Sequence, residues 1–304
     1  AGRRRRRWTL STTAAVESPL KQLWSEFAAS KLALVGLALL VSVVMIAVFA
    51  PLISPQNPYD LAQLDVMSGK LAPGEQSMAG KTHLLGTDDQ GRDMLSGIFY
   101  GLRISLGVGV ISTVIALAIG LVFGLVAAYF GGWVDTLIMR IVDIQLSFPA
   151  ILIALILLAL LGQGADKIVI ALITVQWAYY ARTVRASALV EKQKEYIEAA
   201  QVLALSKARI LFRHMLPNCL PPLIVVATVQ VAHAISLEAT LSFLGVGAPP
   251  TAPSLGTLIR TGNDYLFSGE WWIAVFPGVM LIVIALSVNL LGDWLRDALN
   301  PRLR

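Results

Sequence analysis

The chain has 304 residues, of which 14% are charged and 56% are Ala, Val, Ile, Leu, Met, Phe, Trp, Tyr or Cys. Soluble domains carry about 25% charged residues to wet their surface, so an ordinary soluble enzyme is disfavoured. A disordered chain and, with Cys219 as the one cysteine, a disulfide-stapled scaffold are excluded. What remains is a chain solvated largely by lipid.

In chain order, stretches free of ionisable side chains run over Leu32–Ala50, Ile104–Phe130, Ile144–Ala165, Cys219–Leu237 (with only His233 inside it) and Trp271–Gly292. Each meets the need for about 20 apolar residues to cross a bilayer core of about 30 Å. Ile168–Ala181 is shorter, but Lys167 and Arg182 flank it and can snorkel to the two head-group layers. Counting it gives six spans and an all-α polytopic membrane protein.

Charge placement supports the even count. With six spans, Arg3–Arg7, Lys21, Lys31, Arg140, the segment Arg182–Arg213 and the C-terminal arginines share one side, which then holds 18 of the 24 Lys and Arg. The positive-inside rule makes that side cytoplasmic and places both termini there. The expected division is a cytoplasmic basic tail at 1–31, a first span at 32–53, an extracytoplasmic segment at 54–100, and a five-helix core at 101–304. The tail is separated from the first apolar run by Trp8–Lys31, unlike a signal peptide. Its arginines read as a lipid-facing patch rather than a nucleic-acid site.

Between the spans, His83-Leu-Leu-Gly-Thr-Asp-Asp-Gln-Gly-Arg-Asp93 is polar and turn-prone. The spacing of His83, Asp88 and Asp89 matches no metal motif, so Asx-turns and an Asp–Arg pair are expected instead. Gly74–Thr82 mimics a phosphate-binding loop but has five residues between its glycines where four are needed. The cytoplasmic stretch Ser187–Leu216 reads as two short amphipathic helices, with Glu195 and Glu198 at an N-terminus that suits acid. Ile197, Ala200, Val202 and Ala204 supply its apolar positions, small Ala199 and Ala200 permit close approach of a partner, and Pro217 is expected to end the helix.

Glu198-Ala-Ala followed by His214-Met-Leu-Pro217-Asn218 resembles the cytoplasmic EAA loop of ABC-importer permeases. His83–Asp93, Phe130–Asp135, Met139–Asp143, Leu241–Pro250 and Asn289–Arg302 are similar to the dipeptide and oligopeptide branch of that family, and to its C-type permease subunit. The resemblance implies a type I importer permease fold and a coupling loop at 185–217. It also implies a docking helix formed by Glu195, Ile197, Glu198, Ala199, Ala200, Leu203, Ala204, Leu205 and Pro217. One position departs: the family usually has glycine where this chain has Ala204. The implied partners are a paralogous permease, two ATPases carrying ATP and Mg, an extracytoplasmic binding protein and membrane lipid. No cofactor or catalytic residue is expected on this chain.

Four polar residues near or within spans are pathway or inter-subunit candidates. Arg140 and Asp143 lie three apart on one helix face and are expected to pair. Glu238 either faces the pathway, where it would meet a peptide ammonium, or sits exposed at the interface. His233 reads as a packing residue. Gly120-Leu-Val-Phe-Gly124 fits close helix approach, within the chain or with the partner. A self-sufficient secondary transporter is the alternative reading. It requires ionisable residues at mid-span and inverted repeats, and neither is evident.

Overall fold

The computed structural model describes residues 19–249 and 251–299. Arg3–Arg7, Pro250, Asn300 and the last arginines lie outside the described residues. Among the described residues the architecture is helical, with no strand beyond two isolated bridges. The helices are α1 Pro19–Ala29, α2 Lys31–Ile53, α3 Met94–Phe130, α4 Gly132–Ser147, α5 Ala150–Leu161 and α6 Ala165–Lys192. There follow α7 Glu195–Val202, α8 Lys207–Arg209, α9 Leu216–Phe243, α10 Leu255–Tyr265 and α11 Trp272–Ala298.

Side-chain caps set the starts of the two leading apolar helices. Ser30 Oγ accepts from the Ala33 N–H at 3.3 Å, and Asp93 accepts from the Ser96 N–H at 2.9 Å. Asp93 therefore starts α3 ten residues before the charge-free stretch begins, and α3 extends over 37 residues, about 55 Å.

Glycine decides how α3 meets α6. A Cβ on Gly120 would lie 2.6 Å from the Trp177 carbonyl oxygen, and one on Gly124 would lie 2.7 Å from Val184 Cβ. The small-residue pair thus brings two backbones of this chain into contact. Gly109 does the same toward Ile235 of α9. Around these contacts Leu125, Tyr180, Val184, Met215 and Leu223 form one buried cluster of α3, α6 and α9.

Composition alone marks α2, α3, the run Lys207–Phe243 and α11 as able to cross a membrane, and a fifth span if α4 and α5 count as one. The stretch expected to form the third span is bent by 91° at the Phe148-Pro149 interruption. Proline disfavours helical geometry in the residue before it, and Phe148 is extended at φ −97°, ψ 143°. α5 has 12 residues, about 18 Å, too short to cross alone. α6 misses the composition test because Gln176, Tyr179, Tyr180, Arg182 and Arg185 dilute its apolar run.

The stretch 54–93 is held by its own polar groups. Asp93 Oδ1 takes the His83 Nδ1 at 2.9 Å, and its backbone N–H donates to Gln56 Oε1 at 2.7 Å. Asp88 Oδ1 accepts the N–H groups of Gln90 and Arg92, the expected Asx-type turn. Trp272 Nε1 donates to the Thr87 carbonyl at 3.3 Å and ties the stretch to α11. Its indole covers Gly86, where φ is +79° and a Cβ would meet Trp272 Nε1 at 2.8 Å. His83 and Asp93 are thus committed to each other and to the start of α3.

Two predictions follow from this packing. Gly124→Val should lower the melting temperature of the purified protein by several degrees, an overpacking cost of about 1–3 kcal/mol. Gly107→Ala, whose added Cβ meets nothing within 4 Å, should leave it unchanged. Burial pushes the Asp88 carboxyl up to about 6, against backbone hydrogen bonds and the Arg92 charge. A raised folded value means the folded turn holds the proton more tightly than the unfolded chain does. Its stability is therefore full below about pH 4 and lost as pH rises through about 6. Amide protection at Gln90 and Arg92, corrected for intrinsic exchange, should fall over that range and flatten in Asp88→Asn.

Candidate functional site

The chain reverses between α6 and α9 through α7, and this reversal presents exposed apolar side chains at its tip. α6 runs on to Lys192, so the expected first short amphipathic helix is the end of a 28-residue one. α7 then spans eight residues, Glu195–Val202, with both glutamates in its first turn. Acid there suits the positive end of the helix dipole.

Its two faces differ from the sequence expectation. Ile197 and Ala200 are fully buried or nearly so, packed with Ile210, Leu211 and Met215 of the same chain. Small Ala200 therefore serves the chain's own core and not a partner. The outward face carries Glu195, Glu198, Ala199 and, at the tip, Val202 and Leu203, which are 86% and 73% exposed. Val202 and Ala204 do not share the buried face of Ile197 and Ala200.

The end of α7 explains Ala204. This residue has φ +52°, in the left-handed region that glycine favours. Leu205 N–H bonds the Ala200 carbonyl at 3.1 Å and Ala204 N–H bonds the Gln201 carbonyl at 2.9 Å. These are the two bonds of a Schellman turn. Leu205 folds back onto the cluster that holds Ala200, the apolar contact that accompanies such turns. Alanine therefore does not prolong the helix. It occupies the same turn a glycine would, at a cost of about 1–2 kcal/mol.

A polar clasp fastens α7 to the spans on either side. The Tyr196 hydroxyl donates to Glu191 at the end of α6, and Asn218 Nδ2 donates to Tyr196 Oη at 3.0 Å and to the His214 carbonyl at 2.9 Å. Lys194 Nζ lies 2.7 Å from the other Glu191 oxygen. Burial and the Glu191 carboxylate push the Tyr196 phenol up to about 12. Lys192 Nζ donates to the last carbonyls of α3, Ala128 at 3.0 Å and Tyr129 at 2.7 Å. A cation at a helix C-terminus is favourable. Sequence reasoning missed Glu191, Lys192 and Tyr196, which look like ordinary surface side chains; Asn218 stood inside a recognised motif without a role.

Pro217 does not end the helix. It occupies the second position of α9, after a π-helical turn at Ile210–Met215, and the helical run continues from Lys207 to Phe243. Pro217 cannot donate to the turn before it, and the widened π turn at Ile210–Met215 accommodates its ring within the continuing run. The wider π turn absorbs the change of pitch.

The four pathway candidates separate. Asp143 pairs across helices with Arg182 at 2.5 Å and not with Arg140, because α6 packs along α4 and brings the guanidinium closer. Both partners are about half exposed, so the pair contributes little to stability. A second α4–α6 pair, Asp135 with Arg185, is bidentate at 2.5 Å and better shielded. Glu238 is fully buried, with Ser105 Oγ donating to one oxygen at 2.7 Å and Ser242 Oγ to the other at 2.8 Å. It joins α9 to α3 and faces no open space, contrary to both expected placements. His233 is exposed on the wall of a cavity of about 1020 Å³ between α6, α9 and α11. Tyr179, Thr183, Asn218, Gln230 and Arg296 share that wall with valines and prolines.

Family comparison places this geometry. The family model described as binding-protein-dependent transport system inner membrane component matches residues 120–304. The N-terminal TM domain of oligopeptide transport permease C matches residues 18–73. The dipeptide transport system permease protein DppC of Escherichia coli (strain K12) is 42% identical over 94% of this chain and 94% of its own length. The di/tripeptide transport system permease protein DppC of Pseudomonas aeruginosa (strain UCBPP-PA14) is 39% identical over 94% and 93%. Among solved structures, the inward facing MetNI methionine ABC transporter aligns with TM-score 0.53 and 21% identity, over 68% of this chain and 96% of that one. That likeness shows the fold alone. With the family model covering more than half of its length and relatives matched nearly end to end, the chain belongs to the family of binding-protein-dependent transport system inner membrane components.

Proposed function

We propose that this chain is the permease subunit of an ATP-driven importer that moves peptides, dipeptides foremost, into the cytoplasm. The observation that carries the reading is the exposed apolar tip of α7, Ala199, Val202 and Leu203, on a helix whose opposite face is locked into the core. Such a surface suits a protein partner, and the names of the relatives point to peptides as cargo. The chain itself does no covalent chemistry and holds no cofactor. ATP and Mg belong to two ATPase subunits beneath α7, a paralogous permease completes the route, and a binding protein delivers peptide from outside.

In this reading the chain crosses the inner membrane six times with both termini cytoplasmic. α6 supplies the crossing that composition underrates: 28 residues rise about 42 Å, more than a bilayer core requires. The division into tail 1–31, first span 32–53, outer segment 54–100 and core 101–304 follows from it.

Force enters at α7. When ATP draws the ATPases together, the tip moves with them. Ile197 and Ala200 pass the displacement to the π turn, and the Tyr196–Glu191 and Tyr196–Asn218 bonds pass it to α6 and α9. Those two helices bound the cavity of about 1020 Å³, so their shift opens or closes the route on one side. Of the sequence candidates, Glu195, Glu198, Ala199 and Leu203 make the docking contacts. Ile197, Ala200, Ala204, Leu205 and Pro217 shape and anchor the loop. His233 faces the route, Glu238 fixes α9 to α3, and Asp143 joins α4 to α6.

Leu203→Asp should cut peptide uptake by reconstituted complex at least tenfold and abolish peptide-stimulated ATP hydrolysis, with the permease pair still assembled. Undiminished peptide-stimulated hydrolysis in that variant would sink the coupling assignment. Ala200→Trp should instead lower the yield of assembled complex, because its side chain has no space in the core. Ala204→Gly should keep uptake and raise the stability of the loop by about 1 kcal/mol, read as slower proteolysis at Leu203–Lys207; faster cleavage would contradict the left-handed turn.

A further inference from the structure

One residue on the wall of the large cavity takes no part in passing motion from α7. Gln230 stands at the middle of α9 and lines the cavity of about 1020 Å³. It is only 7% exposed, yet its amide has no hydrogen-bond partner among the described residues. The other buried polar side chains toward the outer end of α9 are matched: Glu238 takes the hydroxyls of Ser242 and of Ser105. A polar side chain within a span is costly unless something meets it, and it marks function by default. Glutamine carries no charge, so it does not interrupt the apolar run Cys219–Leu237 as an ionisable group would.

The rest of the wall narrows what the amide can meet. His233, one turn further along α9, and Arg296 of α11 bring basic groups, and among the described residues no acidic side chain lines the cavity. Arg296 forms no ion pair among the described residues. Such a wall offers nothing to an ammonium group and favours a carboxylate. Val226 and Val229 flank Gln230 with aliphatic surface. The volume lies at the upper end of the roughly 300–1,000 Å³ of sites that enclose small molecules.

A primary amide carries an acceptor oxygen and two N–H donors side by side. An extended peptide residue presents its N–H and its carbonyl on the same side, as the hydrogen-bonded pairs of an antiparallel sheet do. In the second residue of a dipeptide that carbonyl is the terminal carboxylate. Gln230 Oε1 can therefore accept the peptide N–H while Nε2 donates to the carboxylate, and neither bond depends on the side chains of the cargo. We propose that Gln230 is the residue of the route that holds a passing dipeptide by its backbone in this way. The proposal rests on the importer reading above and adds the atoms that touch the cargo. Two hydrogen bonds at one residue orient a peptide and still release it, the balance that a conducting route needs.

The test uses the complete importer in proteoliposomes, with its binding protein and each peptide at saturating concentration. The peptides are dialanine and its ester analogue, in which oxygen replaces the peptide N–H. Gln230→Leu keeps the bulk of the side chain and removes the amide. It should lower maximal uptake of dialanine about tenfold and of the ester about threefold, because the ester has already lost one of the two bonds. Comparing two importers served by one binding protein cancels that protein's own preference. Equal losses with the two peptides would overturn the proposal by giving Gln230 a structural role. Uptake of dialanine within about twofold of the parent would overturn it as well. Where Gln230→Leu lowers the yield of complex, Gln230→Met takes its place, and failure of both to assemble would assign the amide to packing and overturn the proposal. In each of these cases ATP-dependent uptake by the parent complex leaves the importer reading standing. Absence of that uptake would strike the reading itself.

Discussion

The close approach of α3 and α6 is the contact from which the rest is positioned. Within lipid no hydrophobic force drives helices together, and association depends on backbones packing tightly. Gly120 and Gly124 permit that against Tyr180, Ala181 and Val184. Once the two helices lie together, their ends are aligned, and Lys192 at the end of α6 reaches the last carbonyls of α3. The reversal into α7 therefore starts from a pinned point, and its Schellman turn returns the chain toward α9 at a defined angle.

A second constraint comes from the polar groups that the fold buries. Three pairs, two buried and one partly buried, join elements distant in sequence: Glu238 to Ser105, Gln176 to Thr113, Asp135 to Arg185. At membrane depth a lost partner is not replaced by water, so such bonds hold helices in register. The Tyr196 clasp, at the reversal proposed to couple to the ATPases, is more exposed than the Glu238 cradle. The two ends of the molecule also differ in kind. One presents an apolar tip on a single short helix, whereas the other assembles three connections and α10 around charged side chains.

Much of the fold was legible because lipid imposes a simple code. Apolar length marked α2, α3, the body of α9 and α11, and the sorting of basic residues predicted which ends share a side. The code weakens where composition and geometry part. Phe148-Pro149 marks an interruption of the third span in the sequence, but hydropathy does not give the 91° bend that the backbone preference of a residue before proline produces. α6 was undervalued because arginines and tyrosines that pair or pack inside the protein count against it. Within the loop, the motif Glu198-Ala-Ala located α7, but helical periodicity was extended past Val202. Ala200 and Val202 were therefore placed on one face. A single left-handed residue, Ala204, ends that periodicity.

By itself, the sequence determined that the chain is a helical membrane protein, which segments are apolar enough to be spans, and which loop resembles the EAA loop of importer permeases. Those properties depend on local composition, which each segment carries with it. Only the tertiary structure decided that Ala200 faces inward while Ala199 faces out, that Asp143 chooses Arg182 over Arg140, and that Glu238 is enclosed while His233 is open to a cavity. It also brought Arg92 and Arg260, 168 positions apart, to the wall of one small cavity. The physical reason is the same in each case: partner choice depends on which helices approach, and that is set by close packing at a few small residues whose effect reaches far along the chain.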